Sequence, residues 1–313
     1  MKALIKIAIT GVVLALLFSA VDVHALLAHI SDVPWYAIAY AALCYFIATY
    51  LGTLRWTMLL KAEGVILPFR HLLFYNLSYN FYSVVLPGGK VAAEAIRVYQ
   101  IVRDTGDANV RGKVIFPTLL DRSMVVAVSA LVAVLFFITA PVAVAFPWWL
   151  PYAGVLAVGA IMLTVFLPVE RLFSFGNGLA IPKRSTLQSL RDALTKYRSR
   201  PALLLSTSVI TLLMNVVIAS GIYGITLSLH LPASYLLVFE VFSVGMVTAF
   251  LPLTIAGIGV REGVFAYVLT AASGAPIEAT LSVSLLALLA LLSVVVVGGV
   301  VEFYRHFIRH EKI

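Results

Sequence analysis

The sequence predicts an all-α, polytopic membrane protein with six full spans and two re-entrant helical hairpins, arranged as an inverted repeat. Of its 313 residues, 62% are hydrophobic and only 12% are charged, a composition typical of helices that lie in lipid. Long apolar stretches alternate with short polar loops, and no polar segment is long enough to fold as a separate soluble domain. Two of the apolar stretches are interrupted by a Leu-Pro step and glycines, and charged residues follow each interruption.

Full spans are predicted where an apolar stretch is long enough to cross a hydrocarbon core of about 30 Å. Six stretches meet this condition: 3–21, 35–60, 112–138, 149–168, 202–228 and 278–303. Alternate connections lack lysine and arginine altogether: 22–34, 139–148, 229–233 and 273–277. The remaining flanks are basic, so the positive-inside rule places both termini in the cytoplasm, and we expect the chain to lie in the inner (cytoplasmic) membrane.

The N-terminal segment allows two interpretations. Lys2, Lys6 and the apolar run to Ala20 match a signal peptide with a cleavage site near 23–25. The same run also fits a retained first helix. We expect it to be retained, because the repeat needs a partner for the span at 149–168.

The two interrupted stretches, 72–101 and 234–272, are predicted to be re-entrant hairpins. Both flanks of the first are basic and both flanks of the second are uncharged, so they should enter the membrane from opposite sides. Broken backbone at membrane depth is tolerated only inside protein or beside a water-filled cavity. The predicted backbone breaks are Pro87, Gly88, Gly89, Pro252, Gly257 and Gly259.

An inverted repeat follows from the order of these segments. Residues 1–145 contain a span, a span, a hairpin and a span, and residues 146–313 contain the same order with an amphipathic helix at 185–199. Each half crosses the membrane an odd number of times, so the second copy is upside down relative to the first. Transporters often bring broken helices of inverted repeats together near the midplane.

Charged residues within the predicted spans and hairpins are the candidate substrate-binding site. They are Arg55, Glu94, Arg97, Asp121, Arg122, Glu240, Arg261 and Glu262. Ionisable residues at this depth are costly and mark functional sites, and arginine offers a bidentate fork to phosphate oxygens. Two alternatives stay open: Arg55 could extend to the cytoplasmic surface, and Glu94 with Arg97 could be a purely structural ion pair.

Metal, cofactor and catalytic chemistry find no support in the sequence. Cys44 is the only cysteine, the six histidines never cluster in a span, and neither a zinc-protease pattern nor a serine-hydrolase elbow is present. We therefore predict no enzyme activity, no cofactor and no metal. The basic residues are scattered through loops, which fits membrane topology and not nucleic-acid binding.

Several of these motifs resemble the lysylphosphatidylglycerol synthase transmembrane family, also called the flippase-like family. The resemblance is carried by Arg55-Trp56, Leu86-Pro87-Gly88-Gly89 with the arm ending at Arg97, Asp121-Arg122, and Gly257-Ile258-Gly259-Val260-Arg261-Glu262-Gly263. It covers nearly the whole chain and implies a stand-alone member that moves a lipid between leaflets. These 313 residues contain no soluble aminoacyl-transferase domain, so lipid synthesis is not implied.

Together these observations predict a flippase for a lipid with an anionic, phosphate-bearing headgroup. Arg97, Arg122 and Arg261 are the expected phosphate contacts, Arg55 is a weaker one, and the four acidic residues would orient the arginines or carry protons. The alternatives are a transporter of a small soluble anion and an accessory membrane subunit of a lipid or glycolipid pathway. The sequence leaves homodimerisation open.

Overall fold

The structure is a computed structural model. It describes residues 10–12, 15, 17–19, 21–86, 89–106, 110–139, 196–197, 199–248 and 257–305. Within these ranges the secondary structure is helical, with no strand. The main helices are α1 (Val23–Asp32), α2 (Trp35–Ala62), α3 (Phe69–Val85), α4 (Gly89–Thr105), α5 (Val110–Thr139), α6 (Pro201–Ser228), α7 (Tyr235–Thr248), α8 (Val260–Ser273) and α9 (Ile277–Phe303).

Four helices are long and apolar enough to cross a membrane: α2, α5, α6 and α9. They coincide with four of the six predicted spans, because long runs of apolar residues leave the backbone no other way to satisfy its hydrogen bonds in lipid. The span predicted at 149–168 lies outside the described residues. So does the amphipathic helix predicted at 185–199, apart from residues 196, 197 and 199.

Helix α1 corrects the prediction that 22–34 is a loop. Asp22 caps the helix, because its carboxylate accepts hydrogen bonds from the amides of His24 at 2.8 Å and Ala25 at 3.4 Å. The helix then continues to the residues before Pro34, and Leu26 is buried against α8 and α9. An absence of lysine and arginine therefore marks the side of the membrane but not the secondary structure. The preceding helical segment, Thr10–Ser19, is bent by 91° from α1.

Two pairs of shorter helices lie at the positions of the predicted hairpins. Helices α3 and α4 have 17 residues each and pack against each other, and α7 and α8 have 14 residues each and do the same. At 1.5 Å per residue, α7 and α8 are about 21 Å long, which is shorter than a hydrocarbon core of about 30 Å.

Each hairpin begins and ends at one end of the helix bundle. The open end of the first hairpin packs against the last turns of α2 and the first turns of α5, through Trp56, Leu72, Tyr75, Ile101 and Val114. The open end of the second packs at the opposite end of the bundle. There the Tyr235 ring lies against Tyr223 near the end of α6, and Thr270 of α8 hydrogen-bonds Thr280 near the start of α9.

Glycines allow the long helices to approach closely beside the hairpins. Gly298 of α9 lies against the carbonyl of Leu77 on α3, where a Cβ atom would be 2.8 Å from the carbonyl carbon. Gly221 of α6 lies against α2, where a Cβ atom would be 2.9 Å from Cα of Ala41. Small residues at helix contacts are the usual means of close packing inside a membrane. The contact at Gly298 lets α3 of the first hairpin lie close against α9.

Candidate functional site

Asp121 of α5 is the centre of a buried network of charges. Its carboxylate accepts a hydrogen bond from Nε of Arg55 at 2.7 Å and lies 3.7 Å from Nη2 of Arg97 and 4.0 Å from Nε of Arg122. The Asp121 side chain is 1% exposed. Three helices, α2, α4 and α5, thus each bring an arginine to one carboxylate, which lowers the cost of burying every member of the set.

Glu94 of α4 connects two of these arginines. It is one helical turn from Arg97, and Nη2 of Arg97 lies 2.8 Å from its Oε2. Its other oxygen accepts a hydrogen bond from Nε of Arg122 on α5. The ion pair predicted from the spacing of Glu94 and Arg97 is therefore present, and Glu94 also pairs with a second helix, which the spacing did not predict.

Arg97 is held on all sides by protein. Its guanidinium stacks on the Trp56 ring, 3.9 Å from the ring centre, and Nη1 donates to Oδ1 of Asn76 at 3.2 Å. The side chain is 1% exposed and does not line the cavity described below. This placement differs from the prediction that Arg97 contacts a phosphate: the structure makes it a support for Glu94 and Asp121.

Arg55 does not extend to the surface. It is 2% exposed, and its Nη1 donates to Oγ1 of Thr211 on α6 at 2.8 Å while Nε is paired with Asp121. The alternative that Arg55 lies along the helix toward the cytoplasmic surface is therefore wrong. Its polar partners on α5 and α6 hold it inside the bundle.

A cavity of about 190 Å³ lies where the two hairpins meet the long helices. Its ionisable lining residues are Arg55, Lys90, Asp121, Arg122 and Arg261. Its other polar lining residues are Tyr45, Thr49, Asn76, Tyr79, Asn80, Ser83, Thr211 and Asn215. The α9 side of the wall is apolar and consists of Leu288, Leu291, Leu292 and Val295. The cavity therefore has one side that is cationic and polar and another side that is apolar.

The second hairpin contributes Arg261 from the first turn of α8. Its guanidinium pairs with Oε1 of Glu262 at 2.5 Å, and Arg261 is 17% exposed. The other oxygen of Glu262 accepts a hydrogen bond from the amide of Gly259 at 2.7 Å. Glu262 therefore caps its own helix, so the Gly259 amide is already bonded and is not a free donor for an anion.

The predicted backbone breaks are only partly described. Gly89, Gly257 and Gly259 have positive φ angles of 57°, 81° and 87°, a conformation that glycine adopts readily. These glycines let the chain turn directly into α4 and α8. Pro87, Gly88 and Pro252 lie outside the described residues.

Glu240 is the predicted site residue on the first helix of the second hairpin. It is buried at 3% exposure on α7, among residues that pack into the apolar core, and it does not line the cavity. The structure thus brings together Arg55, Glu94, Arg97, Asp121 and Arg122 in one network, places Arg261 with Glu262 beside the same cavity, and does not place Glu240 in the cavity wall.

Two cavity residues, Lys90 and Tyr79, were not among the predicted site residues. Lys90 begins α4 and lines the cavity beside the tip of the first hairpin. The Tyr79 ring lies 4.2 Å from the Arg122 guanidinium carbon, and its buried hydroxyl makes no hydrogen bond within the described part of the chain. Lys90 could have been identified from its position directly after Gly88-Gly89. Tyr79 gave no such signal, because it is one of several aromatic residues in the same stretch.

A second polar cluster, between the first hairpin and the end of α9, was also not predicted. Glu302, in the last turn of α9, accepts hydrogen bonds from Ser78 at 2.6 Å, Tyr82 at 3.0 Å and Gln100 at 3.5 Å. It lies 3.9 Å from Arg305. These contacts join both helices of the hairpin to the end of α9.

Chemically, the arrangement suits anion binding. Among the described residues, no group of three or more histidine, cysteine, aspartate or glutamate side chains could hold a metal ion. The cavity offers guanidinium groups, an ammonium group, hydroxyls and amides, all of which can donate hydrogen bonds to phosphate oxygens.

Comparison with known proteins fits this geometry. The family model described as Lysylphosphatidylglycerol synthase TM region matches residues 3–299. It describes a transmembrane region and not a catalytic domain. No curated protein matches the sequence. Since the match covers both hairpins and all the long helices, the chain belongs to the family of the lysylphosphatidylglycerol synthase transmembrane region.

Proposed function

We propose that this integral membrane protein is a flippase, which translocates a lipid with an anionic, phosphate-bearing headgroup between the leaflets of the cytoplasmic membrane. In this proposal both termini are cytoplasmic, the two hairpins are re-entrant, and residues 1–145 and 146–313 are the two copies of an inverted repeat. The described helices support it, since the order long, short, short, long occurs twice, as α2–α5 and as α6–α9.

One observation carries the proposal: Arg122, from the first half of the chain, and Arg261, at the tip of the second hairpin, line the same cavity. Lys90 lines it as well. Four of its five ionisable lining residues are cationic, in a region where charges are costly unless they serve a function. The buried Tyr79 hydroxyl supports the same conclusion, because such groups nearly always have a partner, which a bound headgroup would supply.

The cavity volume indicates which part of a lipid would enter. The cavity of about 190 Å³ has room for a phosphate headgroup, and its cationic side offers hydrogen-bond donors to the phosphate oxygens. In the proposed mechanism the headgroup passes between the hairpins, facing Arg122 and Arg261, while the chains stay in the bilayer.

The test is lipid movement in proteoliposomes. Acyl-labelled fluorescent phosphatidylglycerol is reconstituted with the purified chain, and dithionite bleaching reports how much label reaches the outer leaflet. We expect the wild type to expose the whole pool and Arg261→Ala to expose only the original outer-leaflet pool.

Arg111→Ala is the matched control, because Arg111 is exposed in the first turn of α5, away from the cavity. It should behave as wild type. Wild-type bleaching by Arg261→Ala, at an unchanged size-exclusion profile, would contradict the proposal. Uptake of radiolabelled phosphate into the liposomes without lipid movement would favour the alternative, a transporter of a small soluble anion.

A further inference from the structure

We propose that Glu94 is an internal competitor of the anionic headgroup: the headgroup takes its place on Arg122, and the exchange loosens the first hairpin from α5. This inference rests on the proposed function and adds how substrate binding would be linked to movement. It concerns the ion pair between Glu94 and Arg122, which joins the first hairpin to a cavity-lining arginine of α5.

Arg122 is the arginine of the network that a headgroup can reach. Its side chain is 26% exposed and lines the cavity, whereas Arg55 and Arg97 are 2% and 1% exposed. The strong partner of Arg122 is Glu94, because Asp121 lies 4.0 Å away and is committed to Arg55. A phosphate that binds Arg122 therefore competes with the Glu94 carboxylate for the same guanidinium.

Glu94 has a second partner ready within its own helix. Nε and Nη2 of Arg97 are buried and make no hydrogen bond to any described residue, and the same is true of Oε2 of Glu94, which lies 2.8 Å from Nη2. The two groups are close but poorly aligned. A small rotation of the Glu94 carboxylate, once it leaves Arg122, would align them, so the displaced charge stays compensated.

The exchange changes which elements are joined. The Glu94–Arg122 pair joins α4 to α5, whereas the Glu94–Arg97 pair lies within α4. After the exchange, the described ion pair between the two helices is the longer one, 3.7 Å, from Arg97 to Asp121. A headgroup on Arg122 would therefore weaken the hold of the long helix on the first hairpin, as alternation between two states requires.

The experiment measures binding affinity. If Glu94 competes with the headgroup, removal of its charge should tighten binding. If Glu94 contacts the substrate directly, removal of its charge should weaken binding. Glu94→Gln keeps the shape of the side chain but removes its charge. We expect the purified full-length variant to bind dihexanoyl phosphatidic acid at least about fivefold more tightly than wild type by isothermal titration calorimetry, a typical coupling. Inorganic phosphate is titrated in parallel. If Glu94→Gln tightened the binding of phosphate but not of the lipid, the exchange would be supported, but a lipid would be excluded as the ligand.

The matched control is Glu63→Gln, which removes a glutamate paired with Lys196 at 2.9 Å, outside the network. It should leave affinity unchanged. Should Glu94→Gln fail to fold, Glu94→Asp shortens the reach to Arg122, keeps the charge near Arg97, and should also raise affinity. Unchanged or weaker binding by a folded Glu94 variant, or no binding by either protein, would overturn the proposal. Lipid transport by the wild type is measured separately in proteoliposomes. A failure of the proposed flippase activity can therefore be distinguished from a failure of the proposed exchange.

Discussion

At the scale of single residues, Asp121 decides whether the charged network can exist inside the bundle. It is 1% exposed and lies within 4.0 Å of three arginines from three helices. Two carboxylates, Asp121 and Glu94, face three guanidinium groups, so neither can be lost without leaving buried positive charge uncompensated. The site is thus a set of mutually dependent ionic groups and not a row of independent ligands.

Neutralising Asp121 should therefore be strongly destabilising. We expect Asp121→Asn to lose about 3–5 kcal/mol of stability, the usual cost of breaking a buried ion pair by removing one partner. The measurement is thermal unfolding in detergent followed by size exclusion. Asp32→Asn is the control, since Asp32 is exposed at the end of α1. Similar midpoints for the two variants would show that the network does not stabilise the fold.

At the scale of the helices, the first hairpin is positioned by contacts that run along its length. Gly298 allows α9 to lie against α3, Glu302 accepts hydrogen bonds from both hairpin helices, and the charged network holds α4 to α2 and α5. The close contact at Gly298 thus sets the distance between α3 and α9. The hydrogen bonds to Glu302 set the position of the hairpin along α9. The hairpin tip reaches the cavity as a result of both.

A side chain at Gly298 should disturb this placement. The Cβ atom of Gly298→Ala would overlap the Leu77 carbonyl, and backbone on both sides leaves little room to adjust. We expect a lower unfolding temperature and a loss of lipid movement in the proteoliposome assay.

Gly112→Ala is the matched control for this substitution. Gly112 is helical and exposed, with nothing within 4 Å of the added atom, so alanine there should be neutral or slightly stabilising. If the Gly298 variant retained both wild-type stability and activity, helix α9 would not set the hairpin position.

At the scale of the whole molecule, the two hairpins open at opposite ends of the bundle. Their connections to the long helices, at 65–68 and at 229–234, are therefore expected on opposite sides of the membrane. The distribution of basic residues predicts the cytoplasmic side for the first and the outer side for the second.

Cysteine labelling tests this arrangement directly. Cys44 is buried and is replaced by alanine to give a background without thiols. Ile66→Cys, at a position that is 77% exposed, should react with an impermeant maleimide only after cells are opened. Ser234→Cys, at an exposed position, should react in intact cells. Labelling of both from one side would contradict the proposed topology.

Local sequence patterns were sufficient to predict most of the helices. The long spans follow from hydropathy, and the starts of α4 and α8 follow from glycines that adopt positive φ. Helix α1 was missed although its cap, Asp22, is a local signal; its buried residue, Leu26, packs against α8 and α9, and only the tertiary structure sets that contact. The charged residues were found because charge at membrane depth is rare, whereas Tyr79 has no such mark.

The amino-acid sequence by itself determined that this chain is a helical membrane protein of a known family, with two interrupted apolar stretches and a small set of charged residues within or beside the apolar segments. Only the tertiary structure decided which charges face the cavity: it turned Arg97 toward Trp56, placed Lys90 in the cavity wall, and left Glu240 out of that wall. The reason is physical. Hydropathy and backbone breaks depend on neighbouring residues and can be read along the sequence. An ion pair between helices forms only where those helices pack together, and their packing depends on contacts between residues far apart in the sequence.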